Sequence, residues 1–111
     1  MLQIVWVYRV RPPLAEEFQR VYGPDGTWAT LFARHPSFRG TRLLKDHNIP
    51  HRFMTLDLWL DLHSYEEFKK EHADDYRSAD GKYNRFFEDQ KCIGFFEVDD
   101  VEIAPPSVGL A

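Results

Sequence analysis

The segment spanning residues 52–72, RFMTLDLWLDLHSYEEFKKEH, constrains the fold most, because its pattern changes from alternation to helical spacing. In its first part, Met54, Leu56, Leu58 and Leu60 would point to one side of a strand, and Phe53, Thr55, Asp57 and Trp59 to the other. Both sides carry apolar side chains, which indicates burial on two faces. Thr55 and Asp57 then lie among apolar neighbours, so they mark a hydrogen-bonded core or a pocket.

The order of elements along the chain predicts the fold class. Strand composition is found over residues 2–10, 38–45, 52–60 and 91–98. Helical spacing follows Pro12-Pro13, with an interruption at GPDG, and begins again after Ser64, which forms a capping box with Glu67. We expect this second helix to reach residue 89, with a break or bend at Gly81. The order β-α-β-β-α-β is the ferredoxin-like α+β arrangement, a four-stranded antiparallel sheet with both helices on one face.

The helices leave the other sheet face bare, and that face is not polar enough to be left in water. A second copy packed face to face would cover it, so the pattern predicts a homodimer. A chain of 111 residues buries a limited share of its surface and would gain from such a partner. We expect one domain over residues 1–98 and a C-terminal tail over residues 99–111, where Pro105-Pro106 stops regular structure.

Charge and cysteine content exclude several classes of partner. The net charge of −4 and the pI near 5.7 argue against a generic nucleic-acid or anionic-membrane surface. No apolar run approaches the length of a membrane span, and the N-terminus lacks the pattern of a signal peptide. Cys92 is the sole cysteine, which excludes an intramolecular disulfide. We therefore expect a cytoplasmic protein.

Three stretches carry a resemblance to a known family. The run TLDLW followed after five residues by Tyr65, the helix start SYEEFKKEH and the strand lead-in PSFRGTRLLKD, in β-α-β-β-α-β order, resemble the antibiotic biosynthesis monooxygenase family over residues 2–98. The resemblance implies a dimeric α+β barrel with a ligand cavity between sheet and helices in each subunit. It also implies oxidation of polycyclic phenols or quinols by molecular oxygen with neither metal nor flavin, or, in another branch, haem degradation.

The resemblance assigns roles to particular residues. In the polyketide-oxidising branch, an Asn precedes the Trp of the third strand by four residues and a Tyr follows it by six. Trp59 and Tyr65 match the last two, whereas Thr55 stands at the Asn position and offers a single hydroxyl. The haem-degrading branch pairs a first-strand Asn with the Trp and a second-helix His. Trp59 and His72 match two of these, but the first strand has no Asn, which makes haem degradation the less favoured alternative.

From these positions we derive a candidate site. Trp59 and Tyr65 would orient an aromatic substrate, and either Asp57 or His72 would accept its proton. Substrate contacts are expected from Thr55 and from two aromatic residues of the second helix, Phe68 and Tyr76. No histidine, cysteine or carboxylate spacing resembles a metal motif, so no metal is expected. The resemblance implies that no other cofactor is needed.

Each candidate also has a structural interpretation. Trp59 could fill the gap between sheet and helices, and Asp57 could pair with an arginine such as Arg9 or Arg42. Tyr65 and Tyr76 could be core rings with their hydroxyls at the surface.

His72 could be a packing residue or a partner of Asp75. Two functions therefore stay open: a cofactor-independent monooxygenase acting on a phenolic, quinol or polyketide-like aromatic, and a non-catalytic dimeric barrel that binds a small apolar ligand.

Overall fold

The computed structural model describes residues 1–99 as a four-stranded antiparallel sheet with helices packed on one face. The strands are β1 (Leu2–Val10), β2 (Phe38–Lys45), β3 (Arg52–Trp59) and β4 (Phe87–Glu97). The helices are α1 (Ala15–Tyr22), α2 (Thr27–Phe32), α3 (Leu62–Glu71) and α4 (Ala73–Tyr83). The strands lie in the order β2-β3-β1-β4, which confirms the predicted ferredoxin-like α+β fold. The predicted tail lies outside the described residues, apart from Asp99.

Strand β3 alternates as its sequence predicts. Phe53, Thr55, Asp57 and Trp59 are all buried beneath the helices, whereas Met54, Leu56 and Leu58 are partly exposed on the opposite side. We call the helix-covered side of the sheet the inner face and the other side the outer face. Register places β3 between its two neighbours, so each inner side chain of β3 has a partner on both β1 and β2.

The core between sheet and helices is built from aromatic rings. Its largest fully buried side chains are Trp59, Phe18, Phe53, Phe68 and Phe86. Many of the rings meet edge to face, for example Phe32 against Trp59 with centroids 5.6 Å apart. Such contacts add to the burial of apolar area, which is the main source of stability for a sheet with helices on one face.

Helix α3 begins earlier than predicted, because Asp61 rather than Ser64 caps it. The Asp61 backbone is extended, and its Oδ1 accepts a 2.8 Å hydrogen bond from the Ser64 backbone N–H. A carboxylate at this position satisfies one of the free N–H groups of the first turn. The amide that the carboxylate satisfies belongs to Ser64, so the predicted cap is instead a residue of the first helical turn.

The second half of the chain departs from the prediction in two further places. His72, with φ −118° and ψ 31°, separates α3 from α4, whereas Gly81 lies within α4 without interrupting it. The helical stretch then ends at Tyr83, and a short 3₁₀ turn leads into β4 at Phe87, so residues 87–89 are strand rather than helix. Local spacing alone did not separate these alternatives, because pairing with β1 decides where β4 begins.

A β-bulge interrupts β4 opposite the middle of β1. Val5 pairs with Gly94 and Trp6 pairs with Cys92, which leaves Ile93 as the extra residue. Gly94 adopts φ 159°, and a Cβ at this position would come within 3.0 Å of the Phe96 ring. Glycine therefore lets Phe96 lie directly over the backbone beside the bulge.

The outer face carries many apolar side chains, with arginines among them, and is uncovered in the single chain. Leu44, Ile93 and Phe96 are exposed by 45 to 47%, and Met54, Leu56 and Leu58 between them are partly exposed. Contiguous apolar surface of this kind usually marks an interaction site. Among residues 1–99, no helix is both long and apolar enough to cross a membrane.

Candidate functional site

A small cavity of about 40 Å³ lies between the inner face and the helices. Aromatic side chains form most of its wall: Trp6, Tyr8, Tyr22, Trp28, Phe32 and Tyr76. Its polar groups are Thr41, Thr55, Asp57, Asp80 and Gln90. Asp80 and Gln90 are exposed, so they mark the mouth, whereas Asp57 lies at the buried end. The space is large enough for a few water molecules, and it is smaller than a cavity that takes a benzene ring.

Asp57 is the buried carboxylate of this cavity. Its Oδ1 accepts a 2.6 Å hydrogen bond from the Thr41 hydroxyl, which reaches across from the directly paired position on β2. Burial raises the pKa of Asp57 to about 6, and the Thr41 hydrogen bond opposes that shift only in part. A carboxylate with a pKa in this range is mostly ionised at neutral pH, yet it is a stronger base than an exposed one.

The tyrosines around Asp57 stay protonated at neutral pH. Burial is the main cause that raises the pKa of Tyr8, Tyr22 and Tyr76, and the Thr55 hydroxyl offsets part of the rise at Tyr8. The negative charge of Asp57 raises the pKa of Tyr8 and Tyr76 further. These hydroxyls can donate and accept hydrogen bonds but cannot serve as bases near neutrality. Asp57 is therefore the group of this cluster best suited to accept a proton.

The structure brings three of the predicted residues to the cavity: Asp57, Thr55 and Tyr76. Tyr65 lies one layer further out. Its hydroxyl interacts with that of Tyr76, which lowers the pKa of Tyr76 and contributes to the raised pKa of Tyr65, where burial is the larger cause. Tyr65 can thus position Tyr76 without contacting the cavity itself.

Trp59, Phe68 and His72 lie in the packing behind this layer. Trp59 is fully buried, with ring centroids 5.3 Å from Tyr65 and 5.2 Å from Phe68. His72 is partly buried against Phe68 at 5.2 Å. The Trp59 indole N–H has no hydrogen-bond partner among the described residues. None of the three lines the cavity, so any effect they have on its chemistry passes through Tyr65 or the core.

Two structural alternatives are not realised. Arg9 and Arg42 project from the outer face, because their neighbours Tyr8 and Thr41 face inward, so neither can pair with Asp57. Asp75 pairs with Arg34 at 2.7 Å rather than with His72.

Several lining residues were not singled out from the sequence. Trp6 and Tyr8 are at alternate positions of β1 and both face the helices. The alternation of side chains along a strand could have shown that they share a face. Thr41 could be found only from the register of β2 against β3, which places it directly opposite Asp57. Asp80 and Trp28 reach the cavity from separate helices, and helix packing angles are not readable from a single sequence.

Outside the cavity, His35, Glu67 and Glu71 form the one grouping of metal-ligand side chains found within residues 1–99. The Ser37 backbone N–H donates to His35 Nδ1 at 3.1 Å, so that nitrogen carries the lone pair. The proton of a neutral ring is then on Nε2, which donates to Glu67 Oε1 at 2.8 Å. Metal binding at Nε2 would require that this proton leave. The geometry therefore favours a structural role, in which the His35–Glu67 hydrogen bond links the segment after α2 to α3.

No protein-family model matches the sequence, and no curated protein matches it. Solved structures do. A variant of SnoaB, a cofactor-independent oxygenase from Streptomyces nogalater, superposes with a TM-score of 0.68 at 18% identity, covering 94% of this chain and 96% of that one. An antibiotic biosynthesis monooxygenase gives 0.62 at 13% identity, covering 89% and 99%. The chain has the antibiotic biosynthesis monooxygenase fold.

The antibiotic biosynthesis monooxygenase fold is shared with proteins of other description. An uncharacterized NIPSNAP domain protein from Burkholderia xenovorans superposes with a TM-score of 0.68 at 15% identity, covering 93% of this chain and 99% of that one. Because one fold hosts many activities, the fold alone does not assign an activity to this chain.

Proposed function

We propose that this protein is a cofactor-independent monooxygenase that oxidises a phenolic, quinol or polyketide-like aromatic with molecular oxygen. The observation that carries the proposal is the buried Asp57 carboxylate, with a pKa of about 6, at the inner end of a cavity walled by aromatic rings. A base in such a place can take a proton from a weakly acidic aromatic while the rings hold the substrate. The likeness to SnoaB, a cofactor-independent oxygenase, supports the same reaction class.

The reaction balances without an added reductant. Asp57 takes a proton from a phenol hydroxyl, or from a ring methylene made acidic by a neighbouring carbonyl. The resulting anion gives one electron to oxygen, and the radical pair combines into a peroxide at the ring carbon. Loss of water then leaves a new carbonyl. The substrate supplies all four electrons, one oxygen atom enters the ring, and the other leaves as water together with the proton returned by Asp57.

The chain's own residues supply the base, the orientation and the dry surroundings. We assign proton transfer to Asp57 rather than His72, because Asp57 lines the cavity and His72 does not. Thr55 and Tyr76 would orient the substrate through their hydroxyls. Tyr65 would position Tyr76, while Trp59 and the Phe68 ring behind it would fix Tyr65.

An aromatic ring enters this site only if the mouth opens, since the cavity is about 40 Å³. Helix α4 is the cover that can move. Of its residues only Tyr83 is buried, and its N-terminus adjoins the non-helical His72 without a side-chain cap. Elements with little buried surface open at low free-energy cost. Displacement of Tyr76 and Asp80 with α4 would widen the cavity toward the solvent.

We also propose that the protein is a homodimer that buries the outer face. Leu44, Ile93 and Phe96 and the partly exposed row of β3 supply most of the apolar area of this face. The dimeric α+β barrel implied by the family resemblance uses this side of the sheet. Packing two such faces together would remove the exposed area from water on both copies.

The test is oxygen uptake by the purified, metal-stripped protein with a panel of anthrones, naphthols and hydroquinones. We expect uptake well above the spontaneous rate for at least one compound, and loss of about 10² or more in the Asp57→Asn variant. The amide has nearly the same shape and can still accept from Thr41, so the variant should fold. Uptake that is equal in both proteins would remove Asp57 from the mechanism.

The second candidate is a dimeric barrel that binds a small apolar ligand without turnover. The small volume of the cavity favours it, because a few-atom ligand would fit with little opening. Ligand-dependent quenching of tryptophan fluorescence without oxygen uptake would favour this function. Haem is the less favoured ligand, since no histidine of residues 1–99 lines the cavity. A titration that produced a Soret band would favour haem instead.

A further inference from the structure

The charged groups of the cavity are all acidic. Asp57 lies at the buried end and Asp80 at the mouth, and no lysine, arginine or histidine belongs to the described lining. The Asp80 charge reaches the phenol groups of the wall, because it contributes to the raised pKa of both Tyr22 and Tyr76, after burial as the main cause. A ligand passing from the mouth to Asp57 therefore meets negative charge at both ends of its path.

Cations elsewhere on the helices stay outside the described cavity lining. Lys69 Nζ lies 4.6 Å from the centroid of the Tyr76 ring but is not part of the lining. Arg34 is held by Asp75 at 2.7 Å. The groups that shift the pKa of Asp57 are burial and the Thr41 hydroxyl, and no cation contributes. Within residues 1–99, Asp57 is thus uncompensated by positive charge.

We propose that this cavity accepts aromatic substrates that are neutral or cationic and rejects anionic ones, with Asp80 as the specificity-determining residue at its mouth. This charge preference is a substrate choice only if the proposed function holds. As a preference in binding, it can be measured without any turnover. A carboxylate on the substrate would meet the Asp80 charge at the mouth, and near Asp57 it would lie in buried surroundings where charges are poorly screened. It would also favour the protonated form of Asp57 and so remove the base.

A positive substituent has the opposite effect. The faces of the tryptophan and tyrosine rings attract an ammonium group, and the two carboxylates add to this attraction. The substrate class is therefore a phenol or quinol without a carboxylate, phosphate or sulfate, and an amino substituent is tolerated.

The experiment compares 2,5-dihydroxybenzoate with its methyl ester, which carry the same hydroquinone ring and differ in one charge. Binding is followed by quenching of tryptophan fluorescence, and turnover by oxygen uptake. At neutral pH we expect the Kd of the ester to be lower than that of the acid by a factor of about ten or more. The Asp80→Asn variant should bring the two Kd values closer together. Asp74→Asn, on an exposed position of the same helix, is the matched control and should keep the wild-type ratio.

The two proposals fail separately. Ester-selective binding without oxygen uptake would uphold the charge selection and count against the monooxygenase. Oxygen uptake together with equal binding of the acid and the ester would support the monooxygenase and count against the charge selection. A ratio that is unchanged by Asp80→Asn, or an ester that does not bind at all, would overturn the charge selection at this mouth.

Discussion

The Thr41 hydroxyl and the Asp57 carboxylate face each other across the β2–β3 ladder and form a 2.6 Å hydrogen bond beneath the helices. Because both belong to paired strand positions, the register of the sheet holds the two groups together. This hydrogen bond stabilises the ionised form of Asp57 in a place where burial favours the neutral form. The balance between the two sets the pH range in which Asp57 can act as a base.

The first prediction concerns the pH dependence of turnover. A reaction that needs ionised Asp57 should gain rate as the pH rises through about 6, the pKa of this group in the free protein. Thr41→Val removes the hydrogen bond that lowers the pKa, so the acidic limb of the kcat/KM profile should move to higher pH. The matched control is Thr30→Val on α2, because the Thr30 hydroxyl donates to Gly26 O, outside the cavity. This variant should leave the acidic limb of the profile in place. An identical limb in Thr41→Val would contradict the assignment.

The second prediction concerns stability. The folded-state pKa of Asp57 is raised from 3.8 to about 6, so its contribution is fully present below pH 4 and is lost as the pH rises through 6. Asp57→Asn removes this loss. The variant should match the wild type below pH 4 and exceed it by about 3 kcal/mol above pH 7, since each unit of pKa corresponds to about 1.4 kcal/mol.

Urea unfolding at pH 4 and pH 8 measures this difference directly. A variant that is more stable yet inactive would separate catalysis from folding in a single protein. If Asp57→Asn were less stable than the wild type at pH 8, the ionised Asp57 carboxylate would have to be stabilised by a further group of the folded protein.

The third prediction ranks the aromatic layers behind the cavity. Tyr76→Phe removes a hydroxyl from the lining and should raise KM and lower kcat. Tyr65→Phe removes the hydroxyl that interacts with the Tyr76 hydroxyl but leaves the lining itself intact, so it should change KM and kcat in the same direction by less. His72→Gln, on a side chain that packs against Phe68 outside the cavity, should leave kcat within about twofold. Steady-state kinetics that gave His72→Gln the largest effect would return the role of base to His72.

The fourth prediction tests the outer face. Leu56 is partly exposed at the centre of this face, between Arg42 on β2 and Val5 on β1. In an isolated chain Leu56→Glu would meet water, whereas in a face-to-face dimer its charge would be buried, so the variant should sediment as a monomer. Lys70→Glu, on the exposed side of α3, should keep the wild-type mass. A wild-type protein that is monomeric at all concentrations would exclude the proposed dimer.

The fold was predictable from the sequence because its strongest signals are local. The alternation of β3 gave the inner and outer faces, and strands β1 and β2 have the predicted ends, Leu2–Val10 and Phe38–Lys45. The turn between β2 and β3 is local as well, since Asp46 Oδ1 accepts from the N–H groups of Asn48 and Ile49, the hydrogen bonds that make aspartate common in turns.

The site was predictable only in part, because it depends on distances between elements. Parity placed Thr55 and Asp57 beneath the helices, as the structure has them. Trp59 shares that parity, but it lies at the end of the strand under α2 and α3, away from the cavity. Whether a buried side chain meets a neighbour or a void depends on helix position, and helical spacing does not specify it.

The bulge at Ile93 has a consequence for how copies of this chain can associate. Strand β4 lies at an edge of the sheet, where an open ladder invites another strand and, by repetition, a fibre. Extra twist at Ile93 and the charged stretch Glu88, Asp89 and Lys91 make that edge a poor template for continuous pairing. Continuous pairing through β4 is thereby disfavoured, whereas the proposed face-to-face dimer would be a closed, finite assembly.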